Sequence, residues 1–206
     1  MSELKGVVFD FGGVISAPQD PSFFAEVEKR LGLSREETLA GWARYRSELD
    51  RGTRSAEELY RLIAADYGLA PSAETLAALA RADYDSWAHG NVATLLWARE
   101  LKAAGWRVGI LTNMPPDYGP WFDRAARDFR ALADAELISG EVHLVKPEPA
   151  IYVLMAERMG LPAHALCFLD DTLRNVEAAR ACGWAGIHFQ TVAQARAAFD
   201  ALVAQR

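Results

Sequence analysis

The sequence predicts an α/β fold, a doubly wound parallel sheet interrupted after its first strand by a run of helices. Three observations carry that prediction. From Asn91 onward, short apolar runs alternate with helix-period segments, as a parallel sheet joined by crossover helices requires. Between residues 21 and 87, four helical segments follow one another with no strand signal between them. Near the N-terminus, Val7, Val8 and Phe9 form an unbroken apolar run that stops at Asp10 and is followed by Gly12 and Gly13. That is the pattern of a strand buried on both faces that runs out at the carboxyl edge of a sheet.

The elements follow in order. Pro21 to Leu31 places Phe23, Phe24, Val27 and Leu31 at helical spacing. Ser34 with Glu37 forms a capping-box signature and opens a helix carrying Leu39, Trp42, Tyr45 and Leu49. Ser55 with Glu58 repeats it and opens a helix through Leu59, Leu62 and Ile63 to a stop at Gly68. Pro71–Ser72 introduces a fourth helix, through Leu76, Leu79 and Tyr84, ending near Trp87. Val92 to Ala104 is helical with Gly105 as its stop, and Arg107 to Thr112 is a second buried strand. Met114–Pro115–Pro116 then breaks the chain before an irregular helix from Trp121 to Ala133. Glu136 to Ser139 reads as a third strand, and a loop with Gly140 and His143 leads to Lys146–Pro147. A helix over Ala150 to Met159 precedes a fourth strand, Leu166 to Leu169, which ends in Asp170–Asp171. A helix over Asn175 to Cys182, a fifth strand over Gly186 to Phe189 and a closing helix over Val192 to Val203 complete the chain.

Composition narrows the class. A chain of 206 residues is long enough for one sizeable core with a satellite domain. Its 51% apolar and 24% charged residues are those of an ordinary soluble globular protein. A net charge of −6 and the lack of a basic run argue against nucleic acid or an anionic membrane as partner. No apolar stretch reaches membrane-spanning length, and the start MSELKGVVFD lacks the parts of a signal peptide, so the expected location is cytoplasmic. Cys167 and Cys182 fall in apolar segments and are expected as buried thiols rather than ligands. His89, His143, His164 and His188 are scattered without metal-ligand spacing.

The strand ends hold the chemistry. The first strand ends in Asp10, the second in Thr112–Asn113 and the fourth in Asp170–Asp171, while Lys146 precedes a crossover helix. In a parallel sheet these project at one edge, where ligands of open α/β folds bind. Clustered carboxylates repel one another unless a cation lies between them, and hard oxygen ligands suit Mg²⁺. Such a cation draws a phosphate ester toward Asp10, whose carboxylate can attack phosphorus. The Thr112 hydroxyl, the Asn113 N–H and the Lys146 ammonium are suited to hold the remaining phosphoryl oxygens.

The same stretches carry a resemblance that covers essentially the whole chain. FDFGGV, ILTN, VKPEPAIY and FLDDTLRN resemble the four motifs of the haloacid dehalogenase superfamily, and the four-helix insertion resembles its type 1 cap. The spelling SGEVHLVKPEPAIY is most similar to the branch of bacterial phosphatases that includes α-D-glucose-1-phosphate phosphatase. The resemblance implies a Rossmann-like core over residues 1–15 and 89–206 with a helical cap over residues 16–88. It also implies a Mg²⁺-dependent hydrolase of small phosphate monoesters, sugar phosphates among them, working through an aspartyl-phosphate. By the same resemblance Asp10 is nucleophile and metal ligand, Asp171 the main further metal carboxylate, and Asp170 its support, directly or through water. Thr112 and Lys146 bind phosphate, and Asn175 supports the ligands from behind. The expected partner is a small phosphorylated metabolite, and the chain is expected as a monomer or homodimer.

One departure from the family pattern falls at Gly12, where its phosphatases carry a second aspartate. The Gly12 carbonyl can still serve as a metal ligand, but a general acid worth ~10²–10⁴-fold in rate is missing. On the second inserted helix and just after it, Arg44, Tyr45 and Arg51 stand where a capped enzyme selects its substrate, with Tyr45 expected to face inward beside Trp42. Tyr118 and Trp121 are candidates to overhang the site, and His143 is expected as a plain loop histidine. Two other functions compete. A metal-independent 2-haloacid dehalogenase uses the same aspartate to attack carbon, and a catalytically weak module that binds a phosphorylated ligand needs no turnover at all.

Overall fold

The structure, a computed structural model, describes residues 3–204. Residues 1–2, part of the stretch read for a leader, and residues 205–206 lie outside the described residues. Five parallel strands form one sheet: β1 (Gly6–Phe9), β2 (Arg107–Thr112), β3 (Ala135–Ile138), β4 (Leu166–Asp170) and β5 (Ala185–His188), in the order β3-β2-β1-β4-β5. The chain winds outward from β1 through β2 to β3, then returns to β4 on the other side, so the winding reverses between β1 and β4. A crevice opens at such a reversal.

Both faces of the sheet are covered, which is why its strands read as continuous apolar runs. On one face Val7, Phe9, Val108, Ile110, Cys167 and Leu169 pack under α5 (Val92–Ala103), α6 (Gly119–Arg130) and α10 (Val192–Ala204). The Phe9 ring meets Trp97 and Phe129 edge-on, with centroids at 5.7 and 5.2 Å. On the other face Val8, Leu111, Leu137 and Phe168 pack under α8 (Pro149–Met159) and α9 (Leu173–Ala181). Cys167 is buried on the first of these faces, whereas Cys182, at the end of α9 on the second, is only half-buried.

Between β1 and α5 run α1 (Ser22–Leu31), α2 (Arg35–Asp50), α3 (Ala56–Asp66) and α4 (Ala73–Trp87). Both capping boxes form: the Ser34 and Ser55 hydroxyls accept from Glu37 and Glu58 N–H groups, and each glutamate carboxylate accepts in return from the serine N–H. The chain leaves and re-enters the sheet layer at one stem, where Ser16 bridges Gly90 and the Asn91 N–H donates to Ile15 O at 2.8 Å. The C-terminal end of α2 is seated on the sheet layer. Ser139 Oγ donates to Asp50 O at 2.5 Å, and Arg51 pairs with Glu148 at 2.5 Å. Gly52 lies so close to Gly140 that a Cβ on it would fall 2.5 Å from the Gly140 carbonyl oxygen.

Several boundaries differ from the sequence expectation. β3 and β5 each begin and end one residue earlier than expected. α6 starts at Gly119 directly after a turn of helix at Pro116–Tyr118. The prolines here start a helix rather than break one, because first-turn N–H groups have no helical partner to lose. The expected loop at Gly140 is a four-residue helix, α7 (Ser139–Val142), too short to leave a period in the sequence. No helix is long and apolar enough to cross a membrane among the described residues.

Candidate active site

Asp10 follows β1, its N–H donating to Leu169 O at 2.9 Å so that the ladder carries on past the strand's last residue. A wide turn over Phe11–Ile15 comes next, and its sharpest point is Gly13, with φ of 69°. A side chain there would also strike Asp171, whose Oδ2 would lie 2.9 Å from an added Cβ. Backbone conformation and close approach therefore both demand the second glycine of the pair.

Lys146 is the centre of the cluster. It is 3% exposed, and its Nζ lies 2.7 Å from Asp10 Oδ1 and 2.7 Å from Asp170 Oδ2, also donating to Leu111 O at 3.3 Å. The Asn113 side chain fixes where that lysine starts. Its Oδ1 accepts from Lys146 N–H at 2.8 Å and its Nδ2 donates to Lys146 O at 3.0 Å. Asp170 is fully buried and receives Thr172 N–H at 2.8 Å and Asn175 Nδ2 at 3.1 Å on both oxygens. Asp10 Oδ1 also accepts from Phe11 N–H at 2.7 Å, and among the described residues its Oδ2 has no hydrogen-bond partner. Asp171 is exposed on the crevice side of the same rim.

The electrostatics follow from burial and from three carboxylates facing one ammonium. Burial pushes the Asp10 carboxyl well above the usual carboxylate range; Lys146 opposes the shift, and Asp170 and Asp171 add to it. Partial desolvation inside the crevice and then the neighbouring Asp170 charge raise the Asp171 carboxyl. Burial alone would lower the Lys146 ammonium, but Asp10 and Asp170 together hold it above its ordinary value, so it stays charged. One oxygen from each of Asp10, Asp170 and Asp171 lies within 4.8 Å of the others, a set of hard donors with excess negative charge. That set fits a magnesium ion. Asp170 is already engaged by Lys146, Asn175 and Thr172, which leaves Asp10 and Asp171 as its more available carboxylates.

These groups open into a crevice of about 300 Å³. Asp10, Gly12, Thr112, Asn113, Lys146 and Asp171 line its floor, and Trp42, Arg46, Asp50 and Trp87 from the inserted helices line it as well. The Trp87 ring lies 3.4 Å from where a Gly12 Cβ would stand. Asp170 lies behind Lys146 rather than in the lining.

Tyr45 corrects the expectation. Its hydroxyl donates to Asp66 at 3.0 Å beside the Arg44–Asp66 pair, and it is not among the lining residues. The reason is helical geometry: Trp42, Arg46 and Asp50 recur every four residues on one stripe, and Tyr45 stands about 100° away from Arg46. Arg51 and His143 hold the α2 end to the sheet layer and do not line the crevice. Arg51 donates to His143 O at 2.8 Å, and His143 Nδ1 lies 2.9 Å from Arg51 O. Tyr118 lines the crevice, whereas Trp121 donates to Asp85 at 2.9 Å and does not. The sequence reading missed the Asn113 side-chain bracket and the Arg46–Asp50 pair. The i, i+4, i+8 spacing of Trp42, Arg46 and Asp50 was the available signal for the second.

Comparison with known proteins finds relatives of the same fold. A phosphatase of Mycobacterium tuberculosis, MT3486, is 27% identical over 185 residues, covering 87% of this chain and 84% of that protein. An enzyme of Bacteroides thetaiotaomicron, bt-2542, solved in complex with magnesium and inorganic phosphate, shares the fold with a TM-score of 0.71 at 19% identity, over 91% of this chain and 94% of its own. The L-2-haloacid dehalogenase RSc1362 shares it with a TM-score of 0.70 at 22% identity, over 90% and 86%. Residues 4–183 match the family described as haloacid dehalogenase-like hydrolase. This chain belongs to that family of hydrolases.

Proposed function

We propose that the protein is a Mg²⁺-dependent phosphatase of small phosphate monoesters, working through a phosphorylated Asp10. The observation that carries this reading is the convergence of Asp10, Asp170 and Asp171 oxygens within 4.8 Å around a buried, charged Lys146. Asp10 and Asp171, with Asp170 and the Gly12 carbonyl, would hold magnesium, which neutralises charge on the phosphoryl group when bound. Asp10 Oδ2, free of hydrogen bonds among the described residues, attacks phosphorus, and the bond to the leaving oxygen breaks. Lys146 balances the charge on the phosphoryl oxygens, and Thr112 Oγ1 and the Asn113 N–H donate to them. Water then cleaves the aspartyl-phosphate and releases inorganic phosphate.

A crevice of about 300 Å³ suits a small phosphorylated metabolite. Residues 16–88 act as a cap over the core formed by residues 1–15 and 89–206, excluding bulk water during the first step. The Ser16–Gly90 stem and the seating of Asp50 to Gly52 support that division. A dehalogenase reading shares the fold but needs no metal, and it gives no reason to gather Asp170 and Asp171 beside the nucleophile.

The test is phosphate release from a panel of phosphate monoesters, with Mg²⁺ or with EDTA. Release that depends on Mg²⁺ and falls by on the order of 10⁴-fold or more in Asp10→Asn supports the reading. Equal release by wild type and D10N, or turnover of a 2-haloacid that survives EDTA, overturns it.

A further inference from the structure

We propose that Asp50, at the C-terminal end of α2, is the general acid and base of this site, protonating the leaving oxygen and then activating the water. The inference rests on the phosphatase reading and adds a proton carrier to it.

An alcohol leaves phosphorus readily only if its oxygen is protonated as the bond breaks. In-line displacement places that oxygen opposite the attacking one, and attack from Asp10 at the sheet rim sends it toward the inserted helices. Gly12 offers no side chain, and the Trp87 ring covers it. Among the titratable groups lining the crevice, Asp10 is the nucleophile, Asp171 is committed to the cation, and Lys146 is held charged between two carboxylates. The Tyr118 phenol is pushed far up by burial and donates to Tyr84 O. Arg46 and Arg174 carry guanidinium groups, which are donors without acceptor capacity and do not serve as general bases. Asp50 remains.

Its surroundings favour a proton on it. Asp50 Oδ1 accepts from Arg46 Nε at 3.1 Å, but the same guanidinium also serves Asp83, Nη1 to Oδ2 at 2.9 Å. Two carboxylates therefore share one cation in a largely buried place. Asp83 Oδ2 also accepts from the Tyr60 hydroxyl at 2.8 Å, so Asp83 is held inside the helices and turned away from the crevice lining. Asp50, unlike Asp83, lines the crevice, and its Oδ2 has no hydrogen-bond partner among the described residues, so that oxygen is open to give or take a proton. Burial raises the Asp50 carboxyl, with Arg46 and Lys146 opposing and Asp83 adding. Nor does the carboxyl wander with the helices, since Ser139 Oγ donates to Asp50 O and the next residue pairs with Glu148.

The step balances. The Asp10 O–P bond forms, the P–O bond to the leaving group breaks, and the Asp50 proton passes to the departing oxygen. In the second half, Asp50 carboxylate takes a proton from water as that water attacks phosphorus, the Asp10 O–P bond breaks, and phosphate leaves with Asp50 protonated again.

The test is kcat/KM for esters whose leaving groups run from p-nitrophenol to simple alcohols, for wild type, Asp50→Asn and Asp50→Glu with Mg²⁺. The expectation is a loss of ~10²–10⁴-fold for alkyl esters in D50N, a far smaller one for p-nitrophenyl phosphate, and partial recovery in D50E. The p-nitrophenyl phosphate rate shows that the variant is folded. A loss in D50N that is the same for every ester, or no loss, overturns the assignment while leaving the phosphatase reading intact. Wild type that releases no phosphate from any ester brings down both.

Discussion

Two clusters of this protein have the same composition: one cation between two aspartates. In the sheet layer Lys146 lies between Asp10 and Asp170, both at 2.7 Å. Among the inserted helices Arg46 lies between Asp50 and Asp83, at 3.1 and 2.9 Å. The first is assembled from two strand ends, fixed by the parallel ladder, and a loop, and it adds a third carboxylate, Asp171. The second is assembled from two helices, α2 and α4. Lysine presents a compact point charge to phosphoryl oxygens, whereas arginine's fork grips two carboxylates at once and ties α2 to α4. On the proposed reading, the contrast teaches that the sheet-layer cluster serves a ligand with charge of its own, and the helical one holds helices and, through Asp50, moves a proton.

One substitution in each cluster separates the two. Lys146→Ala leaves three carboxylates together with no cation, a loss of about 3–5 kcal/mol. For a chain of this size that is roughly a 6–20 °C fall in melting temperature, accompanied by loss of phosphate release. Asp83→Asn removes one of Arg46's two partners and leaves Asp50 in place, so its cost is smaller, roughly 2–3 kcal/mol. Its response to Mg²⁺ stays as in wild type. Thermal melts of both variants with and without Mg²⁺ check this. A D83N protein that no longer responds to Mg²⁺ would merge the two clusters into one.

The smallest effect concerns pH. Asp10 and Asp171 carry folded-state pKa values above their usual range. A carboxyl raised in this way loses stability as pH climbs from its unfolded value, ~3.9, through its folded one. Without a divalent cation the cluster's contribution therefore declines across that window. Magnesium competes with those protons, so the rise in melting temperature that it causes grows with pH and fades at the acid end. A Mg²⁺-induced shift that is constant with pH would mean that neither carboxyl is displaced from a proton by the ion.

Much of the sheet-layer cluster was legible in the sequence, and the physical reason is topological. A buried parallel strand writes itself as an apolar run, and whatever polar residue ends it must emerge at one rim. Asp10, Thr112 and Asp170 were placed that way, and Lys146 joined them through its loop. The inserted helices were legible as helices, because Ser34–Glu37 and Ser55–Glu58 are local signals. Which face of α2 meets the crevice was not. That depends on how α2 sits against α3, where Gly41 lets the Ile63 side chain approach so closely that a Cβ would meet it at 2.6 Å. Tyr45 was misplaced for that reason, and Asp50 was not singled out. Asn113 was expected through its backbone N–H alone. The bracket its side chain places on Lys146 spans 33 residues of sequence and leaves no local trace.

The central claim is that Asp10 becomes covalently phosphorylated during turnover. The most direct measurement is rapid acid quenching of the Mg²⁺-loaded enzyme during hydrolysis of p-nitrophenyl phosphate, followed by peptide mass spectrometry. The account predicts one phosphoryl group on the peptide that contains Asp10, absent in Asp10→Asn. Phosphate found on another residue, or turnover with no phosphorylated peptide at any quench time, would contradict it.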